Sequence, residues 1–434
     1  MTTPAVFGDA RYRTIDEARI IAALVAEGWR YQVAKGEHAT AERQARAALE
    51  RCVALGLPHR RFAAGGRLFD PAEASNFLKW AFKEKGEPIW PDQYLPSARR
   101  EIWEAHQPAG DCIDAPPDLG SLADQRYAVT VRRSFNLAGR RPGERIRLRL
   151  PAPIEDTFLR DLAIEPLMPE ESPVEVAIAP AQLDVRLRVP DADEITVGLR
   201  ATFTAAAVIP DPSAQLDPAE IALYTRPNEG LIKLSPRIRA LAAELAGVDR
   251  DPLAMLRRFW AYLLDELAYG FIHYDAVDPA APLDWVLDHG WYDCKFGAAL
   301  LAALCRARGT PARMITGYLL REVSPGFHSW LEVWIAGRGW LPIDLASWSL
   351  SAGGRDADWR DYYFGRLDHR MTVERLPRLF TGPTAMWLPD AWHMHINLAQ
   401  PGTDVMFESL DSGVLAYREH MDVVRLSPAE HGQE

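Results

Sequence analysis

The chain has 434 residues, 48% of them hydrophobic, 25% charged and 10% aromatic, a balance that excludes a disordered or low-complexity protein. At about 100 to 200 residues per domain, the length predicts two to four domains rather than one core. With 49 Lys and Arg against 60 Asp and Glu, the formal net charge of −11 opposes a nucleic-acid partner or an anionic membrane surface.

The longest apolar run, Phe296 to Cys305, is closed off by Lys295 and Arg306 and falls short of the roughly 20 residues a bilayer span requires. No membrane partner is expected. The N-terminal MTTPAVFGDARYRTIDEARI lacks a basic segment followed by an apolar one, so the default expectation is a cytoplasmic protein. Cys52, Cys112, Cys294 and Cys305 are too few for a disulfide scaffold and form no C-x-x-C pair. Each thiol is therefore either core filler or chemistry.

Taken in chain order, residues 1–120 read as a helical accessory domain. Thr14 and Glu17 have capping-box spacing ahead of ARIIAALVAEGW, Asp70-Pro71 fits a cap followed by proline, and ATAERQARAALERCVALG is rich in helix formers. The Pro- and Gly-dense QPAGDCIDAPPDLG marks a boundary. Residues 121–215 then alternate apolar and polar positions in YAVTVRRSFNL, ERIRLRLPAP, VEVAIAP, LDVRLRVP and EITVGLRATFTA, the pattern of a β-sandwich-like domain. Helical periodicity returns in LSPRIRALAAELAG and DPLAMLRRFWAYLLDELAYG and opens a segment at 216–380 that carries the chemistry. A β-rich C-terminal extension is expected over 381–434.

Within 216–380, Cys294 stands where FGAALLAALCRA begins a helix. Unpaired N–H groups and the positive end of the helix dipole stabilise a thiolate there. Lys295 acts in the same direction, whereas Asp293 opposes it if its side chain turns toward the sulfur. Taken alone, Cys294 reads rather as a buried structural thiol. Cys305, eleven residues on, falls on about the same helix face but roughly 16 Å deeper, and is expected to be inert packing.

GFHSWLEVWIAGRGWLPIDLAS reads as two strands joined by a Gly-containing turn. His328, Trp330, Glu332 and Trp334 share one face of the first strand, and Ser329, Leu331, Val333 and Ile335 the other. A lone strand histidine is ordinarily a satisfied core or surface residue. A helix-start cysteine, a histidine and a carboxylate at Asp344 nevertheless supply the three roles of thiol catalysis: attack, proton transfer and orientation of the imidazole. A tight AGRG turn would pair Asp344 near Leu331 or Glu332, about 10 to 13 Å short of His328, so a bulge or splayed strand ends are expected.

These residues form an ordered signature. It comprises G-x-x-x-C-K-x-x-A-x-L-L from Gly290 to Leu301, G-x-P-A-R from Gly309 to Arg313, and G-Y at Gly317-Tyr318. H-x-W-x-E-V from His328 to Val333 and G-W-x-x-x-D from Gly339 to Asp344 complete it. The signature resembles the core of the transglutaminase-like superfamily over about residues 225–375, including FGRLDHRMTVERLP, and the β-rich segment before it is similar to the N-terminal domain of bacterial members. The resemblance implies an α+β fold with a papain-like transglutaminase core, and a catalytic set of Cys294, His328 and Asp344. It also implies a thioester intermediate released to water or to an amine, on a protein, peptide or small acyl or amide substrate. Peptide or amide hydrolysis is the first reading. An amine acyltransferase is the alternative, and a non-catalytic binding module that retains the fold is the third.

Tyr274 matches a tyrosine that recurs before the family's cysteine, so it is expected to line the site and offer its hydroxyl, or else to pack against the helix. Trp330 and Trp340 are expected as pocket walls, since indole offers bulk and a single donor. Arg313 fits a strand tether better than a substrate clamp. His393 and His395 share a strand face but lack a completing ligand, and no EF-hand pattern is present, so no metal is expected. The chemistry requires no cofactor. Asp344-Leu345-Ala346 replaces a common D-P-T, and Asp293 replaces a small residue before the cysteine.

Overall fold

The computed structural model describes residues 116–169, 174–375 other than 273, 323, 324, 352, 354 and 355, residues 405–410 and 413–427, and parts of 15–102. Thr14, Cys112, His393, His395 and most of the 108–117 connection lie outside the described residues. What is described is a mixed α+β fold whose main sheets are antiparallel.

Near the N-terminus, the helix His38–Ala54 buries Ala45, Ala48, Leu49 and Cys52 in a small apolar cluster with Phe69 and Phe77. Asp70 caps as its sequence context suggests, its carboxylate accepting the Glu73 N–H at 2.9 Å. The expected helix entry after Thr14 is displaced. Ile15 and Asp16 are strand, paired with Phe69 and Leu68, so cross-strand pairing prevails over the local capping signal.

Two further sheets follow. One has five strands in the order Val405–Leu410, Gly413–Arg425, Gln125–Asn136, Glu194–Ala205, Leu159–Leu167. The other has three, Arg145–Pro151, Gln182–Arg188 and Val174–Ala179. Alternation puts Val129, Val131, Phe135 and Val197 of the first sheet and Leu148, Leu150, Leu183 and Val185 of the second into one shared core. The strand Leu159–Leu167 has no clean alternation of burial, and its pairing slips between Arg160 and Ala163. It lies at the sheet edge.

The remaining sheet runs Gly339–Ile343, Gly326–Ile335, Ala312–Leu319, Arg370–Arg375. The helix Cys294–Ala307 lies against it, and Ala298 through Cys305 pack with Met314, Leu331 and Val333. The helices Pro236–Ala246, Pro252–Glu266 and Pro282–His289 complete that core. All three begin with proline after a cap position, and Ser235 and Asp251 accept first-turn amides.

The two cores meet along Ala312–Leu319 and Arg370–Arg375, whose Tyr318, Met371 and Val373 belong to the core of the β-rich part. Tyr318 donates its hydroxyl to Glu419 at 3.0 Å, and the Tyr127 hydroxyl meets His369 Nδ1 at 2.9 Å. No helix among the described residues is long and apolar enough to cross a membrane.

Candidate active site

The helix Cys294–Ala307 starts where the sequence places it, because Asp293 caps it. Asp293 Oδ1 accepts the amides of Lys295 at 3.0 Å and Phe296 at 2.9 Å, and Oδ2 accepts the Tyr274 hydroxyl. The Asp293 carboxylate is thus engaged by backbone and phenol donors rather than left to face the thiol. Cys294 occupies the first helical position and is half-buried. Its N–H is not one of the two amides that Asp293 takes, so an amide remains at the helix start for an oxyanion.

A close approach brings the carboxylate strand to this helix. A Cβ on Gly297 would meet Tyr292 Cδ2 at 2.6 Å and Leu345 Cδ1 at 2.7 Å. Only glycine admits Leu345 there, and Leu345 follows Asp344 directly.

His328 and Asp344 are in contact, with Nε2 and Oδ2 2.8 Å apart. The bulge expected between the strands is absent. Leu331 pairs with Ile343 and Val333 with Leu341 in unbroken register. Continued one step, that register would set Asp344 opposite Trp330, one residue nearer to His328 than the AGRG turn suggested. His328 and Asp344 then become diagonal neighbours on one face, a separation that side chains span. Asp344 also leaves the ladder, its N–H passing to the Tyr363 carbonyl at 3.1 Å.

Both groups are buried, His328 at 6% exposed and Asp344 at 1%. Burial disfavours the imidazolium, yet the charges of Asp344 and Cys294, with a hydrogen bond from each, outweigh it and lift His328 to about 9. Burial likewise opposes the Asp344 carboxylate, but His328 and Arg370 overcome it and hold the carboxyl at about 2. With Nε2 committed to Asp344, Nδ1 is the nitrogen left for the sulfur. Cys305 is 1% exposed, and burial pushes its thiol far up.

The other expected residues separate. Tyr274 stands at the helix start, where its hydroxyl donates to Asp293 and Lys295 Nζ lies 4.8 Å from its ring centre. Trp330 is 1% exposed in a cluster with Ile315, Trp359 and Tyr363, so it is core packing rather than an open wall. Trp340 is not brought to the site. It pairs with Trp334, six residues or about 20 Å along the strand from His328. There it stacks edge-on with Tyr224 and lies under the Arg313 guanidinium at 3.9 Å. Arg313 in turn bonds Glu332 at 2.8 Å, which makes it a tether between strands.

Two contributors escape a sequence reading. Tyr269 is paired alongside Tyr292 in a short parallel ladder, and Cys294, Asp293 and Asp344 all bear on its ionisation, which burial pushes well up. Arg370 donates from Nη1 to the same Asp344 oxygen that His328 uses, at 2.9 Å. Among the described residues, no group of three or more His, Cys, Asp or Glu could hold a metal ion.

Residues 239–345 match the family profile of the transglutaminase-like superfamily. A protein-glutamine gamma-glutamyltransferase of Pseudomonas aeruginosa is 34% identical over 128 residues, covering 25% of this chain. That match spans only 18% of the relative's length. Among solved structures, a protein of Cytophaga hutchinsonii described as a candidate cysteine protease is 14% identical, with 70% of this chain and 92% of that one covered and a TM-score of 0.45. The periplasmic domain of TgpA from Pseudomonas aeruginosa is 19% identical, with 57% and 96% covered and a TM-score of 0.29. This last match corrects the cytoplasmic expectation, because the relative is a periplasmic domain. The expectation had rested on a missing leader pattern, and such an absence assigns no compartment.

Proposed function

We propose that this chain, whose residues 239–345 match the transglutaminase-like superfamily, is a cysteine-dependent acyl-transfer enzyme acting through Cys294, His328 and Asp344. The observation that carries the proposal is the 2.8 Å contact of His328 with Asp344, and Cys294 supports it as one of the groups that raise His328. A histidine placed in this way keeps a proton through neutrality and stabilises a thiolate beside it.

In this reading, the thiolate attacks the carbonyl carbon of a carboxamide or peptide group, forming the S–C bond and a tetrahedral oxyanion. The Cys294 N–H donates to that oxyanion. The imidazolium transfers its Nδ1 proton to the leaving nitrogen, the C–N bond breaks, and an amine departs from a thioester. Water or a second amine then gives a proton to His328, attacks the thioester and restores the thiolate–imidazolium pair. Asp344 orients the ring throughout. Tyr274 acts through the cap, its hydroxyl donating to Asp293, and Tyr269 stands beside it on the short parallel ladder.

Protein, peptide or small acyl substrates fit this chemistry, and hydrolysis of an amide is the first assignment. Transfer to an amine is the second, and it is favoured by the identity shared with a protein-glutamine gamma-glutamyltransferase. The two differ in whether an amine reaches the thioester before water does. Incubating the protein with a glutamine-containing peptide and a primary amine, then weighing the products, separates them as an acid or a new amide. Unchanged turnover in Cys294→Ala would overturn both, and no turnover by the wild-type protein would leave the binding-module reading.

A further inference from the structure

Arg370 stands in FGRLDHRMTVERLP, on the strand Arg370–Arg375, and it is fully buried. Its Nη1 donates to Asp344 Oδ2 at 2.9 Å and its Nε to Asp368 Oδ1 at 2.6 Å. The guanidinium lies 5.4 Å from the Trp330 ring centre and 5.2 Å from that of Tyr363. Asp368 is anchored in turn, accepting the Tyr363 hydroxyl at 2.9 Å, and Tyr363 accepts from Arg321 at 3.1 Å. A row of alternating charge therefore runs His328, Asp344, Arg370, Asp368. His328 and Arg370 share one oxygen of Asp344.

A buried arginine is costly unless it is fully paired, and a hydrophobic residue would fill a strand position between two cores more cheaply. A cation on the same carboxylate oxygen also has a definite electrostatic effect. It draws off part of the negative charge that holds the imidazolium proton. An imidazole opposite an undivided carboxylate would form a stable thiolate pair but release its proton poorly, whereas the proposed reaction needs both.

We propose that Arg370 is a positioning residue that fixes the Asp344 carboxylate and divides its charge, so that His328 can give its proton to the leaving group, with Asp368 setting how much charge Arg370 withdraws. This rests on the acyl-transfer reading of the Cys294 site. Other groups facing the pair are Cys294 and Asp293 at the helix start, Tyr269 and Tyr292 on the short parallel strands, and Arg321 beyond Asp368. The phenols of Tyr269 and Tyr292 are pushed well up by burial and stay neutral over the working range.

The test needs no substrate. The rate at which iodoacetamide alkylates Cys294, followed peptide by peptide against pH, reports the range over which the thiolate–imidazolium pair persists. Removing the cation in Arg370→Met leaves Asp344 wholly to His328, so the upper inflection moves up by about half a pH unit or more, roughly threefold in proton affinity. Asp368→Asn frees Arg370 to act on Asp344 alone, so the same inflection moves down by a similar amount. A purely structural arginine lowers the melting temperature in both variants and moves the inflection in neither.

Opposite displacements support the proposal, and an inflection that stays fixed, or moves the same way in both variants, overturns it. If Arg370→Met does not fold, Arg370→Gln takes its place. It removes the charge but keeps a polar side chain on the two carboxylates, so an upward shift supports the proposal and no shift overturns it. Failure of the underlying reading is distinguishable: wild-type Cys294 would then alkylate no faster than Cys305, with no dependence on His328.

Discussion

The two ends of the helix Cys294–Ala307 carry the same side chain in opposite settings. At its start, Cys294 is half-buried beside a cap that leaves one amide over, a phenol and an imidazole. Near its end, Cys305 is 1% exposed among Met314, Leu331 and Val333. There Arg306 is tied to Glu229 at 2.8 Å and to the Ala312 carbonyl, again at 2.8 Å. Polar groups surround both ends, but at the start they converge on a thiol and at the end they hold elements together. Residue type alone does not make a nucleophile. Position on the helix and the partners that converge there do.

The contrast is sharpest in the substitution that should have the largest effect. Cys294→Ala is expected to cut acyl transfer by at least about a thousandfold with little change in melting temperature. Next comes Asp344→Asn. It keeps the shape but presents an amide to the ring, and a loss of about a hundredfold to ten-thousandfold in kcat is expected, measured on whichever amide the product assay identifies. At the other end of the helix, Arg306→Met removes one of the two arginines on the buried Glu229 and leaves it with Arg226. That should cost roughly 1 to 3 kcal/mol in urea unfolding while the folded protein still alkylates at Cys294 as before. Loss of that reactivity would show that the two ends are coupled.

A smaller effect tests the electrostatics. His328 is raised to about 9, so its contribution to stability is complete below its ordinary pKa of about 6.5 and disappears as pH rises through 9. Asp344 is lowered to about 2, and its contribution is complete above about 4 and lost as pH falls through 2. The urea midpoint should therefore decline between pH 6.5 and 9, and His328→Gln should flatten that decline. An unchanged slope would mean that the imidazolium is not held. The smallest effect belongs to Cys305→Ala, which should cost about 1 to 2 kcal/mol through a small cavity and leave activity intact.

The thiol, imidazole and carboxylate were legible because their signals are local: a capped helix start, a strand pattern, and a carboxylate at a strand end. The geometry between them was less so. The turn allowed a register one step from that observed, and no pattern announced that Asp344 would leave the ladder for the Tyr363 carbonyl. Arg370 escaped for a different reason. A strand arginine reads as solvent-facing, and its partner Asp344 lies 26 residues away in sequence. The strand Leu159–Leu167 escaped because it is an edge whose faces are only partly buried, so it needs no strict alternation. Tyr274 was placed near the helix start, but only the fold shows that its hydroxyl is taken by the cap. Trp340 suggested a pocket wall through the bulk of its indole, yet pairing carries it to the far end of its hairpin.

The strand Gly413–Arg425 lies between two others in the five-stranded sheet and pairs along the length of Gln125–Asn136. Arg133 and its partner Glu419 are separated by 286 residues of chain. During synthesis at about 5 to 20 residues per second, one edge of Gln125–Asn136 therefore waits roughly 15 to 60 seconds for its neighbour. All of the residues proposed for catalysis emerge in that interval. Because Glu419 also holds Tyr318, beside Gly317 and opposite the histidine strand, the nascent protein has its nucleophile before it has the strand that braces the sheet around it.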